Sequence, residues 1–241
     1  MSVDPTSAFQ VPAVPGSGLP GSGLPAAVLW DMDGTLVDTE PYWIAEEFAL
    51  VEAHGGSWSH EHAHALVGND LIVSARYIRQ HGSVELEPEQ IVELLLDGVV
   101  RRVKEHIPWR PGARELLEAL VLEGVPCALV TMSYRRLAEA VVTSLPPGTF
   151  RTLVTGDEVS KGKPHPEPYL VAAARLGVAA ADCVAIEDSP TGVASAEAAG
   201  VPVIAVEHLV PVADGPGRRV HSSLEGLGPF DLLDRTAVPH A

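Results

Sequence analysis

The stretch AVLWDMDGTLVDTEPYW, residues 27–43, opens on a short apolar run and then sets Asp31, Asp33 and Asp38 within eight residues. A brief apolar run closed by polar residues reads as a buried strand. Asp31 and Asp33 then stand at its carboxyl end. Carboxylates crowded at the tip of a buried strand repel one another, so they need protonation, a base or a bound cation. The runs PCALVTM (126–132), TLVTG (152–156), CVAIED (183–188) and PVIAV (202–206) have the same apolar, β-branched character. Amphipathic stretches lie between several of them: GARELLEALVLEG (112–124), RRLAEAVVTSL (135–145), PEPYLVAAARLG (166–177) and GVASAEAAG (192–200). Alternating strands and helices predict right-handed crossovers and an α/β, doubly wound parallel sheet.

Two intervals depart from this rhythm. Residues 1–25 contain GSGLPGSGLP, a five-residue unit written twice, and too little apolar area to offset the entropy of ordering. A flexible tail is expected there. Residues 39–107 carry helical patterns and no convincing strand: EPYWIAEEFALVEAHG, SHEHAHALVG, DLIVSARYIRQHG and PEQIVELLLDGVVRRVKEHI. They read as an inserted helical cap, with the α/β core made of residues 26–38 and 108–241. Ligands of open α/β sheets bind beyond the carboxyl ends of the strands, so a cap inserted after the first strand would cover the site.

Composition narrows the function classes. Of 241 residues, 16 are Lys or Arg and 32 are Asp or Glu, for a net charge of −16. Such a surface repels nucleic acid and anionic membranes, and the short basic run VRRVK (100–104) reads as a solvated helix face. No apolar stretch reaches the length of a membrane span, and the amino terminus lacks a secretory pattern. Cys127 and Cys183 each sit in an apolar run and read as reduced core residues. The expectation is a cytoplasmic protein, monomeric or a weak homodimer, binding neither nucleic acid nor membrane.

The strand ends converge chemically. Asp31 and Asp33 end the first, Thr131 the second, and Glu187 and Asp188 the fourth, while Lys163 follows the third in GDEVSKGK. Hard oxygen donors in this number suit Mg²⁺. DMDGTLVD (31–38), Thr131 in LVTMS, Lys163 in KGKPHPEPY and IEDSPTGVASAEAAG (186–200) resemble, in order and spacing, the four motifs of the haloacid dehalogenase-like superfamily. The resemblance spans residues 27–210. The insertion is similar to the cap of the subgroup of β-phosphoglucomutase and small sugar-phosphate phosphatases such as 2-deoxyglucose-6-phosphatase.

That resemblance implies a Rossmann-like core and a role for each position. Asp31 would attack phosphorus, giving an aspartyl-phosphate. Asp33 would protonate the leaving alkoxide and then deprotonate water. Mg²⁺ would bind the carboxylates of Asp31 and Asp188 and the backbone carbonyl of Asp33, with Glu187 an outer or additional ligand. Thr131 and Lys163 would hold the phosphoryl oxygens, with backbone N–H groups near Gly34 and Met132 completing the cradle. Asp38 reads as a helix cap or supporting group. The implied activity is a Mg-dependent phosphatase acting on small phosphorylated metabolites, sugar phosphates foremost.

Three alternatives stand beside it. A β-phosphoglucomutase-type enzyme would need cap cations for a second phosphate, but Val67 and Leu71 occupy the places where the resemblance puts a Lys and an Arg, and Trp43 stands where mutases carry a His. Arg76 or Arg79 could supply the missing charge. The run HEHAH (60–64) fits the short H-E-x-x-H zinc-peptidase pattern, without an obvious third ligand. A catalytically silent binding protein would be expected to lack Asp31 or Asp33.

Overall fold

The computed structural model describes residues 23–67 and 69–233. Its centre is a six-stranded parallel sheet of β1 (Ala27–Trp30), β2 (Cys127–Val130), β3 (Thr152–Val154), β4 (Cys183–Glu187), β5 (Val203–Val206) and β6 (Arg218–His221). The order is β3-β2-β1-β4-β5-β6. Successive crossovers first run outward from β1 through β2 to β3 and then return to β4. The order therefore reverses beside β1, where doubly wound sheets open their ligand crevice. Trp30 pairs in register with Leu129 on one side and Ile186 on the other, so the residues just beyond all three strands are neighbours.

Strand alternation sorts the core into two faces. Val28, Trp30, Cys127 and Leu129 point to one side and pack with Leu116, Leu117 and Leu120 of α5 (Ala113–Leu122) and with Leu137 and Val141 of α6 (Arg135–Val142). Ala27, Leu29, Ala128 and Ala185 point to the other. Three of these four are alanines, whose small side chains let α7 (Glu167–Leu176) and α8 (Pro190–Ala198) sit close, through Tyr169, Ala172, Val193 and Ala196. Leu24 packs against the first of these clusters. Residues 1–22 of the expected tail lie outside the described residues.

Between β1 and α5 run four helices: α1 (Glu40–Ala53), α2 (His60–His64), α3 (Leu71–His81) and α4 (Pro88–Glu105). They enclose an apolar cluster of their own that includes Val51, Trp58, Ile78, Ile91 and Leu95. Where the chain leaves for these helices and where it returns, the two segments are tied together. The Asp38 N–H donates to the Pro108 carbonyl at 2.8 Å and the Arg110 N–H to that of Leu36 at 3.0 Å. Among the described residues no helix is long and apolar enough to cross a membrane.

The sheet has one strand more than the sequence pattern predicts. β6 reads RRVH and is mostly half-buried, because it is an edge strand. Arg218 lies over its neighbour and pairs with Glu197 of α8 at 2.7 Å, so this strand is built on ion pairing where an apolar run would be expected.

Candidate active site

Asp31 follows β1 directly and its N–H donates to the Ile186 carbonyl at 3.0 Å, which fixes it against β4. Lys163 reaches in from the segment after β3. Its Nζ lies 2.6 Å from Asp31 Oδ1, 2.6 Å from Glu187 Oε1 and 2.9 Å from the Val130 carbonyl. Burial alone would depress the Lys163 ammonium, but Asp31 and Glu187 outweigh it and hold its pKa above the usual range. Burial pushes the Asp31 carboxyl well up, with Lys163 opposing and Glu187 and Asp188 adding to the rise. Asp31 Oδ2 has no hydrogen-bond partner among the described residues.

Glu187 is fully enclosed. Its Oε1 also accepts from the Tyr169 hydroxyl at 2.6 Å. Its Oε2 accepts from the Asp188 N–H at 3.2 Å and the Ser189 hydroxyl at 3.2 Å. Both oxygens are thus committed within the protein. A Cβ on Gly192 would stand 1.9 Å from Oε1, so the first turn of α8 can close over this carboxylate only with glycine there.

Asp33 is held by hydroxyls. Thr39 donates to Oδ1, while Thr131 and Ser133 donate to Oδ2 at 3.2 and 2.8 Å. Thr131 is buried at the end of β2 and accepts from the Ser133 N–H at 2.9 Å, so its hydroxyl hydrogen is directed to Asp33. The Met132 sulfur receives the Lys163 N–H at 3.3 Å.

Asp188 accepts from the Thr35 hydroxyl at 3.3 Å and faces His208 Nδ1 at 3.3 Å. Burial raises its carboxyl above the usual carboxylate range, partly offset by His208. His208 Nε2 lies 3.4 Å from Asp38 Oδ1. Asp38 therefore supports His208, and the residue that precedes α1 as its cap is Thr39. Gly34 has φ +90°, and a Cβ there would fall 2.0 Å from Asp188 Oδ2. Glycine is what allows the chain to turn back against this carboxylate.

Ligand atoms of Asp31, Glu187 and Asp188 lie within 4.8 Å of one another. Three buried carboxylates with one lysine leave negative charge uncompensated, and the hard oxygens of Asp31 and Asp188, which keep free capacity, fit a divalent cation. His60 and His64 of the HEHAH run are exposed on α2 and belong to no such group among the described residues. The His60 ring packs 5.2 Å from that of Phe48.

A cavity of about 640 Å³ lies between these strand ends and α1, α3, α4 and the segment after α2. Asp31, Asp33, Gly34, Thr131, Lys163 and Asp188 line its sheet side; Trp43, Glu47, Leu66, Val67, Leu71 and Leu95 line its helical side. Arg79 instead pairs with Glu87 at 3.0 Å on the surface, and Arg76 is exposed. Sequence reasoning passed over Thr39, Ser133, Tyr169, His208 and Glu47. None lies at a strand end with a motif to mark it, although the pairing of TM with S at 131–133 offered Ser133 as a second hydroxyl.

The family model for haloacid dehalogenase-like hydrolases matches residues 28–206. Hexitol phosphatase A of Escherichia coli (strain K12) is 36% identical over 189 residues, covering 74% of this chain and 81% of that protein. Hexitol phosphatase B of the same organism is 33% identical over 216 residues, covering 86% and 96%. The crystal structure of CbbY from Rhodobacter sphaeroides in complex with phosphate superposes with a TM-score of 0.77 at 26% identity, covering 86% of this chain and 98% of that one.

Proposed function

The chain belongs to the haloacid dehalogenase-like hydrolases and is a phosphoric monoester hydrolase of that type; on that premise we propose that it hydrolyses small sugar phosphates through an aspartyl-phosphate on Asp31, with Mg²⁺ as its cation. The observation that carries the mechanism is the pairing of Asp31 with Lys163. With Oδ1 held at 2.6 Å by the lysine, Oδ2 is the oxygen left to attack. It forms the new bond to phosphorus as the bond to the sugar oxygen breaks.

Asp33 gives its proton to the departing alkoxide and takes one from the water that then attacks the aspartyl-phosphate, which regenerates Asp31 and releases phosphate. Thr39, Thr131 and Ser133 set its orientation. Asp31 and Asp188, with the Asp33 carbonyl, would hold the divalent cation, which would supply positive charge between carboxylate and phosphate. Because both oxygens of Glu187 have partners already, we assign it to positioning Lys163. With substrate bound, Lys163 and the Thr131 hydroxyl would each turn a hydrogen from its present partner, Asp31 or Asp33, to the phosphoryl oxygens, beside the backbone around Gly34 and Met132. Helices α1–α4 serve as the cap.

Hydrolysis is preferred over mutase chemistry on charge. Among the described residues lining the cavity, Lys163 is the only Lys or Arg, so nothing of that kind is available to grip a second phosphate. The test is incubation with β-glucose 1-phosphate and a trace of the 1,6-bisphosphate. Inorganic phosphate should be released; accumulation of glucose 6-phosphate without phosphate would reverse the reading.

A further inference from the structure

The hydrolysis described above makes no use of Glu47, yet this side chain is placed where a substrate would meet it. Glu47 and Trp43 are four residues apart on α1, hence on one helical face, and both line the cavity. Glu47 is only 4% exposed. Trp58 Nε1 donates to its Oε2 at 3.2 Å, and Oε1 has no hydrogen-bond partner among the described residues. The helical side of the cavity sets Leu66, Val92 and Leu95 beside the acidic Glu40 and Asp70, with no Lys or Arg among its described residues. A carboxyl kept in such a wall without a cation is unfavourable for folding unless something satisfies it. Burial pushes Glu47 up to about 8, with Glu40 adding to the rise and the Trp58 bond opposing it. Burial thus favours the carboxylic acid, which can donate one hydrogen bond and accept another.

A hydroxyl is the group that matches such a pair of capacities, since it also donates and accepts. A second anionic group on the substrate would find Glu40 and Asp70 on the helical side and, among the described lining residues, no Lys or Arg beyond Lys163, which is assigned to the first phosphate.

We propose that Glu47 is a specificity-determining residue that hydrogen-bonds a hydroxyl of the substrate's polyol or sugar chain, and that the enzyme thereby selects monophosphates whose far end is polyhydroxylated and uncharged. This rests on the hydrolase reading and adds to it the group that reads the substrate.

The test compares kcat/KM for sorbitol 6-phosphate with that for p-nitrophenyl phosphate, which carries no such hydroxyls, in the wild type and in Glu47→Leu, Glu47→Asp and Glu47→Gln. The ratio should fall by about tenfold or more in Glu47→Leu, chiefly through KM, as expected for a lost buried hydrogen bond. Glu47→Asp, too short to reach both Trp58 and the substrate, should show the same direction and carries the test if the leucine variant does not fold. Glu47→Gln keeps a donor and an acceptor in the same shape and should restore the ratio to within about threefold. In the wild type, 6-phosphogluconate, with a carboxylate at its far end, should be hydrolysed about tenfold or more less efficiently than sorbitol 6-phosphate. An unchanged ratio in the leucine and aspartate variants, or a glutamine variant as impaired as they are, would overturn the proposal while activity on p-nitrophenyl phosphate leaves the hydrolase reading intact. A wild-type protein that releases phosphate from none of these esters would overturn both.

Discussion

Glu187 and Lys163 form an enclosed ion pair at 2.6 Å, with the lysine side chain 5% and the glutamate side chain 0% exposed. Breaking a pair of this kind leaves an uncompensated buried charge. Glu187→Ala should lose about 3–5 kcal/mol of stability by chemical denaturation. Glu187→Gln, which still offers Tyr169 and Lys163 an acceptor, should lose about 1–3 kcal/mol. Equal stability of the alanine variant and the wild type would contradict the arrangement.

Metal dependence should separate Asp188 from Glu187. Asp188 accepts one bond from Thr35 and faces His208, which leaves it capacity for a cation; Glu187 has none to spare. Asp188→Ala should raise the Mg²⁺ concentration at half-maximal activity by about tenfold or more while melting stays cooperative. In Glu187→Gln the shift should stay within about threefold. An unchanged half-saturation point in Asp188→Ala would count against its role as a ligand.

Glu47 should make stability fall with pH. Its folded value of about 8 lies above the ordinary 4.5, so between those values the folded state binds more protons than the unfolded state. The stabilisation this represents is full at low pH and lost as pH rises through 8. Glu47→Gln removes the titration. The variant and the wild type should be equally stable near pH 5, and the variant more stable by about 1–3 kcal/mol near pH 9. A difference that does not change with pH would refute it.

Asp31, Asp33 and Asp188 were legible in the sequence because each follows an apolar run that local pattern marks as a strand, and Lys163 because it sits in a short motif in the segment after the third. The groups that hold them were not. Tyr169 reaches Glu187 from within α7 at 2.6 Å, and His208 reaches Asp188 from beyond β5. Only the sheet order brings those segments together, and a tyrosine or histidine in an unremarkable context carries no mark of it. β6 was missed for a related reason. An edge strand needs an apolar side chain on one face at most, and the RRVH run satisfies its neighbours through Arg218 and Glu197.

Gly34 should tolerate no side chain. Its left-handed backbone and the 2.0 Å approach to Asp188 Oδ2 mean that Gly34→Ala must displace the carboxylate as well as strain the turn. The variant should lose about 1–3 kcal/mol of stability together with metal-dependent turnover. Retention of both at wild-type levels would show that the loop repacks freely.

The measurement that bears most directly on the central claim is turnover by Asp31→Asn. The amide cannot act as the attacking carboxylate, while Lys163 keeps its bond to Glu187, so the fold and melting temperature should be retained. Phosphate release from p-nitrophenyl phosphate and sorbitol 6-phosphate in the presence of Mg²⁺ should fall by about 10³-fold or more, as for removal of a nucleophile. A folded Asp31→Asn protein that turns over either ester within about tenfold of the wild type would contradict an aspartyl-phosphate on this residue.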